Sequence, residues 1–414
     1  MTEARKSSFQ PPRSVKQLRT SEAVKAYQKE WFQKIKEGQY GICNADEAEE
    51  IFIALGMPAV VIQWWSGIIA AKRLSAHYGN LLAKRGWDFD QYGSLGLGCT
   101  LDNNPETAPW GGLPRPAVIT GLSPAQEVWA REWGCPHFPL DRGTRVNMGS
   151  YPRMWETLRD HWDEMIEPHL LDFRVEQEKA LIRFLENTTG RRCSMERLNE
   201  VLELINEQED YWRKARDLIA ETIPCPVGLP DQLSIYPAQW FRGTPEARDL
   251  LKAYYEEVKE RVDKHEAACP NEKIRLMWMG AGLWTNTAFY QYFEKEYGAT
   301  FVCSIYTSIA ADFYARTTHN NDPLRTVAGR HILLGFGGAE WMVKEAKLHK
   351  CDGVVGFGSG SASAVGTRPF EEAGIPAIEI PGHNVDARQW DDEKVRSIVS
   401  NFLEKRILSK KVVQ

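Results

Sequence analysis

Glycine and serine alternate over residues 358–361 in a way that could cradle a ligand. The run Gly358-Ser359-Gly360-Ser361 follows the apolar segment Gly353–Val355. An apolar run that breaks into glycines is typical of a buried parallel strand ending at a functional loop. Ligands of open α/β sheets bind beyond the carboxyl ends of the strands, where glycine permits close backbone approach and serine supplies hydroxyl groups. The alternative is a loop of small residues against which a helix packs tightly.

A second candidate site follows another apolar run, at residues 274–279. Trp284 and Asn286 come shortly after this predicted strand, and we expect them to begin a helix that runs to Tyr297. The N–H groups at a helix N-terminus can bind a phosphate or a carbonyl oxygen. The alternative is a tryptophan that only packs.

Composition excludes several classes of function. The chain has 414 residues with a net charge of -5, so nothing indicates nucleic-acid binding. No apolar run approaches the roughly 20 residues that span a bilayer, and the basic N-terminus lacks the apolar core of a signal peptide. Eight cysteines are spread along the chain without a CxxC pair, which predicts reduced, mostly buried thiols. We therefore expect a cytoplasmic protein that does not contact a membrane.

Strand-like and helix-like segments alternate in the first part of the chain at the spacing of βαβ units, which predicts a parallel sheet. The predicted strands are residues 40–43, 58–62, 117–120 and 135–140. The predicted helices are residues 21–36, with Ser21 as N-cap, 46–55, 67–85 and 124–133. The glycine-rich segment 94–116, which holds Cys99, is predicted to be a loop.

The middle of the chain is predicted to be nearly all helical, and a second alternation begins at Ile274. We therefore predict an α/β protein in which a helical segment joins two doubly wound, parallel-sheet lobes of the Rossmann or flavodoxin type. The predicted parts are an N-terminal arm and helix (1–36), a first lobe (37–149), a helical segment (150–270) and a second lobe (271–414).

With these elements in place, the chain resembles the family of benzoyl-CoA reductase and 2-hydroxyacyl-CoA dehydratase subunits. The most family-like signature is GIPAIEIPGHNVDARQW, at residues 374–390. Further matching segments are Gly41–Gly56, the segment around Cys99, Asn321–Leu324 and Asp352–Val355. The resemblance runs from about Tyr40 to Lys405 and is strongest to the larger subunit of the ATP-dependent benzoyl-CoA reductase.

The resemblance implies a complex of two related subunits that acts on an acyl-CoA. Family members hold a [4Fe-4S] cluster through three cysteines from different loops, and a separate ATP-dependent activator supplies low-potential electrons. The cluster carries the difficult chemistry, while the protein supplies thiolates and an enclosed site. The implied partner of this chain is a homologous subunit of the same family.

This chain departs from the family pattern at the implied cluster ligands. Cys99 matches the first cysteine, but Ser123 stands at the second, and Ser361, Ala362 and Ser363 occupy the loop of the third. Serine is a poor substitute for a thiolate ligand. The sequence therefore predicts a cluster site that is incomplete or absent.

The resemblance also suggests roles for individual residues. Glu50, Ser123 and Ser361 are the catalytic candidates, with Glu50 as an acid near the acyl group and a solvated helix residue as its alternative. The candidates for contacts with the acyl-CoA are Trp284, Asn286, Gly358, Ser359, Gly360 and Ser363.

Three functions remain open from the sequence. The first is a subunit that completes the substrate pocket beside a partner carrying the whole cluster. The second is a redox-neutral acyl-CoA hydratase or lyase that uses the serines of the former cluster cavity. The third is a noncatalytic structural subunit.

Overall fold

The computed structural model describes residues 18–141, 153–334, 338–357 and 366–409. The predicted ligand residues Gly358, Ser359, Gly360, Ser361 and Ser363 lie outside these ranges, as does most of the predicted N-terminal arm. Within the described residues, no helix is long and apolar enough to cross a membrane.

The first lobe is built on a four-stranded parallel sheet, as the sequence predicts. After helix α1 (Arg19–Glu37), its strands are β1 (Gly41–Cys43), β2 (Ala59–Val61), β3 (Val118–Thr120) and β4 (His137–Phe138), in the order β2-β1-β3-β4. The intervening helices are α2 (Glu49–Ala54), α3 (Ile62–Ala71), α4 (Ser75–Lys84), α5 (Gln91–Asp102) and α6 (Pro124–Trp133). Ser123 caps α6, whose bounds agree with the prediction.

Three local predictions in this lobe are wrong. The single helix predicted over residues 67–85 is two helices, α3 and α4, because Arg73 between them adopts a left-handed φ of 62°. The first part of the predicted loop, which holds Cys99, is helix α5. Its N-cap is Asp90, whose carboxylate accepts a hydrogen bond from the Gly93 N–H. Helix α1 begins before Ser21, and the Ser21 hydroxyl instead contacts Ser234.

The glycines of α5 are packing residues rather than loop residues. A Cβ at Gly96 would lie 2.2 Å from the Trp129 ring, and one at Gly98 would lie 2.8 Å from the Cβ of Tyr78. Glycine lets α5 approach α6 and α4 this closely, and the packing compensates for the low helix propensity of glycine.

The middle of the chain is helical, as predicted. Its helices are α7 (Met154–Thr157), α8 (Pro168–Thr189), α9 (Met195–Glu221), α10 (Leu229–Ile235) and α11 (Pro245–Asp263). The Ser194 side chain caps α9, and the predicted apolar stripe of that helix, from Leu198 to Ile205, is buried.

The second lobe repeats the topology of the first. Its strands are β5 (Ile274–Met279), β6 (Ala299–Ser304), β7 (Gly353–Phe357) and β8 (Ala377–Ile380), in the order β6-β5-β7-β8, all parallel. Its helices are α12 (Phe289–Tyr297), α13 (Ile305–Asp312), α14 (Pro323–Leu333), α15 (Ala339–Leu348), α16 (Arg368–Glu372) and α17 (Asp392–Phe402). The fold class predicted from the sequence, two parallel-sheet lobes with helices between them, is confirmed.

Candidate functional site

The strand order places one switch point in each lobe. The chain reverses its winding between β1 and β3 in the first sheet and between β5 and β7 in the second. In doubly wound sheets, ligands bind in the crevice beyond the carboxyl ends of such strands. Ser123 follows β3 and Trp284 follows β5, so both lie near a switch point, while the 358–365 segment after β7 is outside the described residues.

The two lobes meet through hydrogen bonds between aromatic side chains. The Trp284 indole N–H of the second lobe donates to the Tyr92 hydroxyl of the first over 3.1 Å. The Tyr306 hydroxyl donates to the same Tyr92 oxygen over 3.1 Å, and its ring stacks on Tyr236 with centroids 4.8 Å apart. Burial raises the pKa of Tyr92, so its phenol stays neutral. These contacts hold the Trp284 ring in one orientation at the junction, which is the place where the two lobes meet.

A cavity of about 580 Å³ opens at this junction. Its walls come from α1, α3, α10, the short helical turn Tyr236–Phe241 that follows α10, and the segment leading into α12. They include Gln28, Gln63, Trp64, Gly67, Trp240 and Trp284. The volume lies within the range of roughly 300–1,000 Å³ found for small-molecule sites.

Gln63 connects the cavity wall to the loop at the carboxyl end of β1. Its side-chain oxygen accepts a hydrogen bond from the Ala45 N–H over 2.9 Å, and its amide nitrogen donates to the Asn44 Oδ1 over 2.6 Å. Next to it, the Trp64 indole N–H donates to Gln28 Oε1 of α1 over 2.9 Å. The cavity therefore touches the carboxyl ends of both sheets, because Gln63 follows β2 and contacts the loop after β1, and Trp284 follows β5.

Glu50 lies in a buried charge cluster, which we define as Glu50, Arg174, Glu178, Arg330 and His331. The Glu50 carboxylate contacts the Arg330 guanidinium and lies 3.2 Å from His331 Nε2. His331 Nδ1 lies 2.8 Å from Glu178 Oε1, and the Arg174 Nε donates to that same oxygen over 2.9 Å. The cluster joins α2, α8 and α14.

The charge cluster is neutral overall. Glu50, Glu178 and Arg330 are fully buried, and burial lowers the pKa of His331 to about 4. His331 is therefore neutral near pH 7, and each ring nitrogen faces both a carboxyl and a guanidinium group. Nδ1 lies 2.8 Å from Glu178 Oε1 and 3.1 Å from Arg174 Nη2. Nε2 lies 3.2 Å from Glu50 Oε2 and 3.2 Å from Arg330 Nη2. Two carboxylates therefore balance two guanidinium groups. Glu50 is therefore not a solvated helix residue, and a catalytic role for it remains a prediction.

A second ion pair holds the loop that leads from β1 to α2. The Arg242 guanidinium donates to Asp46 Oδ1 over 2.5 Å and to Glu49 Oε1 over 3.1 Å, and it stacks 4.1 Å from the Tyr314 ring centroid. Glu49 in turn accepts the backbone N–H of Asp46 over 2.7 Å. Because Asp46 adopts a left-handed φ of 66°, these contacts stabilise a strained turn.

Ser123 caps a helix in this structure. Its hydroxyl accepts the Gln126 backbone N–H over 3.2 Å, and the Gln126 side chain accepts the Ser123 N–H over 3.1 Å, which forms a capping box. These two reciprocal hydrogen bonds account for a serine at position 123 without requiring that it bind a ligand. A catalytic role for Ser123 remains a prediction.

The predicted helix start at Trp284 is wrong, because α12 begins at Phe289. Trp284 and Asn286 lie in the segment before the helix. The Asn286 side-chain amide donates to Asp392 Oδ1 at the start of α17, over 2.8 Å. The predicted phosphate site therefore lacks the helix N-terminus on which it depends. Trp284 itself lines the cavity.

The described residues do not fit a [4Fe-4S] cluster. Cys99 lies two turns along α5 from Tyr92, with its side chain against Tyr78 and a small cavity of about 130 Å³ lined by Trp65 and Trp133. Burial raises the pKa of its thiol to about 11, and no second cysteine is among the described residues that line this small cavity. Over the described ranges, no group of three or more His, Cys, Asp or Glu side chains is arranged to hold a metal ion.

Several residues of this site carry no signal that singles them out in the sequence. Tyr92, Gln63 and Arg330 become adjacent to their partners only through the fold. The Trp64-Trp65 pair directly after a strand is the one local signal that could have drawn attention to the cavity wall.

Two comparisons with known proteins agree on a family. The family model described as "2-hydroxyglutaryl-CoA dehydratase, D-component" matches residues 120–405. The "(R)-phenyllactyl-CoA dehydratase alpha subunit" of Clostridium sporogenes is 21% identical over 236 residues, which cover 55% of this chain and 58% of that subunit. The family match spans β3 to α17 and more than half of the chain. The chain therefore belongs to the 2-hydroxyglutaryl-CoA dehydratase D-component family.

Proposed function

We propose that this chain is a subunit of an acyl-CoA-processing complex of the 2-hydroxyacyl-CoA dehydratase type. It completes the substrate pocket, while a homologous partner subunit carries the iron–sulfur cluster. The observation that carries the proposal is the cavity of about 580 Å³ that touches the carboxyl-end loops of both sheets. The family membership and the dehydratase alpha subunit among its relatives support the choice of an acyl-CoA ligand.

In this proposal the residues of the chain bind and orient the acyl group. The indole of Trp284 forms one wall of the pocket, and its N–H bond to Tyr92 holds the ring in place. Gln63 holds the loop after β1 through both ends of its amide. Tyr92 and Gln63 are thus positioning residues, and enclosing the acyl group between the lobes excludes water from it.

The placement of the cluster in the partner rests on the thiols of this chain. Cys99 has no second cysteine beside it among the described residues of its cavity, and the sequence from 358 to 365 holds no cysteine. A cubane cluster needs several thiolates that converge on one cavity.

Anaerobic purification together with the homologous partner, followed by iron counting on this chain alone, tests the proposal. The expected result is a substoichiometric iron content in this chain and a full cluster in the partner. An iron content of this chain near that of a complete [4Fe-4S] cluster would contradict the proposal that only the partner carries the cluster. Acyl-CoA conversion in air, without iron, ATP or reductant, would instead support the redox-neutral hydratase or lyase. Failure to bind any acyl-CoA, alone or in the complex, would support the structural subunit.

A further inference from the structure

The segment 381–390, part of the most family-like stretch of the sequence, docks from the second lobe onto the first. It follows β8 and lies against α4 and the start of α5. Arg388 Nη1 donates to Asn80 Oδ1 on α4 over 3.3 Å. A Cβ at Gly79 would lie 2.8 Å from the guanidinium carbon of Arg388, so glycine lets the two lobes approach closely here. We call this segment the clasp, and the proposed function gives it no role.

His383 holds the clasp in shape and joins it to the first lobe. Its Nδ1 accepts the backbone N–H of Val385 over 3.3 Å and that of Asp386 over 3.1 Å. Because both donors face Nδ1, that nitrogen carries no proton, and the one proton of the neutral ring lies on Nε2. Nε2 then donates to Asp90 Oδ2 over 3.4 Å. The closed clasp therefore requires a neutral imidazole in one tautomer.

The charges around His383 do not outweigh this requirement. Asp90 faces the ring from the first lobe, but its side chain is 71% exposed, so water screens its attraction for a protonated ring. The Asp386 carboxylate is paired with Arg388, whose Nε and Nη2 donate to it over 2.8 and 2.7 Å. Asp88 adds its charge on the side of Arg388. A second proton on His383 would face two backbone N–H groups, so both hydrogen bonds would be lost.

The clasp also holds one wall of the 580 Å³ cavity. The Asn384 carbonyl accepts the Trp284 backbone N–H over 2.9 Å. The Trp284 ring lines the cavity and donates its indole N–H to Tyr92 on α5. Asp90, the partner of His383, caps that same helix. Release of the clasp would therefore remove one attachment of Trp284 and weaken the cap of the helix that carries the other.

We propose that the clasp is a pH-sensitive device, which is closed while His383 is neutral and opens when its ring gains a second proton. Opening frees the Trp284 wall of the cavity, while the buried charge cluster keeps the lobes together. The proposal does not depend on which ligand the cavity takes, so it goes beyond the proposed function and stands or falls separately from it.

The test is hydrogen exchange of the full-length chain, followed by mass spectrometry, with each rate corrected for the intrinsic effect of pH. A free imidazole titrates at about pH 6.5, so its protonated fraction rises about tenfold between about pH 7.5 and about pH 5.5. We therefore expect the protection of the amides of residues 385–388 to fall by about tenfold over this interval. A fall of less than about twofold overturns the proposal.

His383→Asn separates the titration from the hydrogen bonds. The asparagine Oδ1 replaces Nδ1 as acceptor of the two backbone N–H groups but does not titrate, so this variant should stay protected at both pH values. Because both proteins keep His331, a fall shared by the variant would trace to another group or to global unfolding, and it overturns the proposal. The matched control is His161→Asn, at an exposed histidine paired with Glu164, which should behave like the unchanged protein.

His383→Ala removes the acceptor itself. The amides of residues 385–388 should then be poorly protected at both pH values, because nothing replaces Nδ1 as their partner. Protection of His383→Ala equal to that of the unchanged protein at the higher pH overturns the proposal. Poor protection of His383→Asn at both pH values also overturns it, because an acceptor that cannot titrate would then fail to close the clasp.

Discussion

Replacing Glu50 by glutamine is expected to destabilise the whole chain. Glu50 and Arg330 are both fully buried and in direct contact. Glutamine keeps the shape of the side chain but removes the negative charge, so the Arg330 guanidinium remains buried without its balancing carboxylate. Burial already lowers the pKa of Arg330, which shows how poorly its surroundings solvate the charge.

The size of the effect follows from this loss of charge balance. Removing one partner of a buried ion pair costs about 3–5 kcal/mol. At about 2.1 cal/mol/K of unfolding entropy per residue, a chain of 414 residues loses about 3–6 °C of melting temperature for that cost. A catalytic glutamate that made no structural contact would leave the melting temperature almost unchanged.

Differential scanning fluorimetry of Glu50→Gln measures this shift, with Glu132→Gln, an exposed glutamate of α6, as the matched control. The double variant Glu50→Gln with Arg330→Met removes both charges and should recover most of the loss, because neutral replacements of a buried pair are often tolerated. A melting temperature of Glu50→Gln equal to the control, or a double variant less stable than the single one, would refute the reasoning.

The remaining predictions concern pH, capping and the lobe contact. Burial lowers the pKa of His331 from 6.5 in the unfolded chain to about 4 in the folded one. Between pH 4 and pH 6.5 this histidine is therefore protonated in the unfolded chain and neutral in the folded chain. The contribution of neutral His331 to the free energy of unfolding is full above pH 6.5 and is lost as the pH falls toward 4. The melting temperature of His331→Gln should therefore fall less between pH 6.5 and pH 4 than that of the unchanged protein. Ser123→Ala should lower the free energy of unfolding by about 1 kcal/mol because it removes the helix cap, whereas Ser123→Asp keeps the cap. If both variants lose activity although Ser123→Asp keeps its stability, the hydroxyl has a chemical role. Tyr92→Phe should lower the free energy of unfolding by about 0.5–1.5 kcal/mol and weaken acyl-CoA binding, because it removes the hydrogen bond that holds Trp284. An unchanged affinity would show that Trp284 is not part of the binding site.

The sequence predicts elements well where local signals agree. Helices α6 and α9 were predictable because a serine cap precedes each one, and β5 and β7 because their apolar runs end at glycines. Helix α5 was not predictable, because its glycines look like loop residues until Trp129 and Tyr78 are seen packed against them. Local pattern does not contain contacts of this kind.

The candidate site was predictable only in part for the same reason. Position after a strand brought Ser123 and Trp284 near the switch points. The partners of Glu50 are about 280 positions away in the sequence. Without those partners, a buried glutamate in an acidic run cannot be distinguished from a solvated one. The pocket walls come from α1, α3, α10, the turn Tyr236–Phe241 and the start of α12 with the segment before it, so no single stretch of sequence carries their pattern.

The neutral charge cluster limits how a ligand can reach the junction. It ties α2 of the first lobe to α14 of the second through α8, so swinging the lobes apart would break several buried ion pairs at once. Breaking these contacts would cost free energy, because the attraction between charges in a low-dielectric interior would be lost. We therefore expect a ligand of the junction to enter while the lobes stay together, so that its rate of binding depends on its bulk more than on a hinge motion.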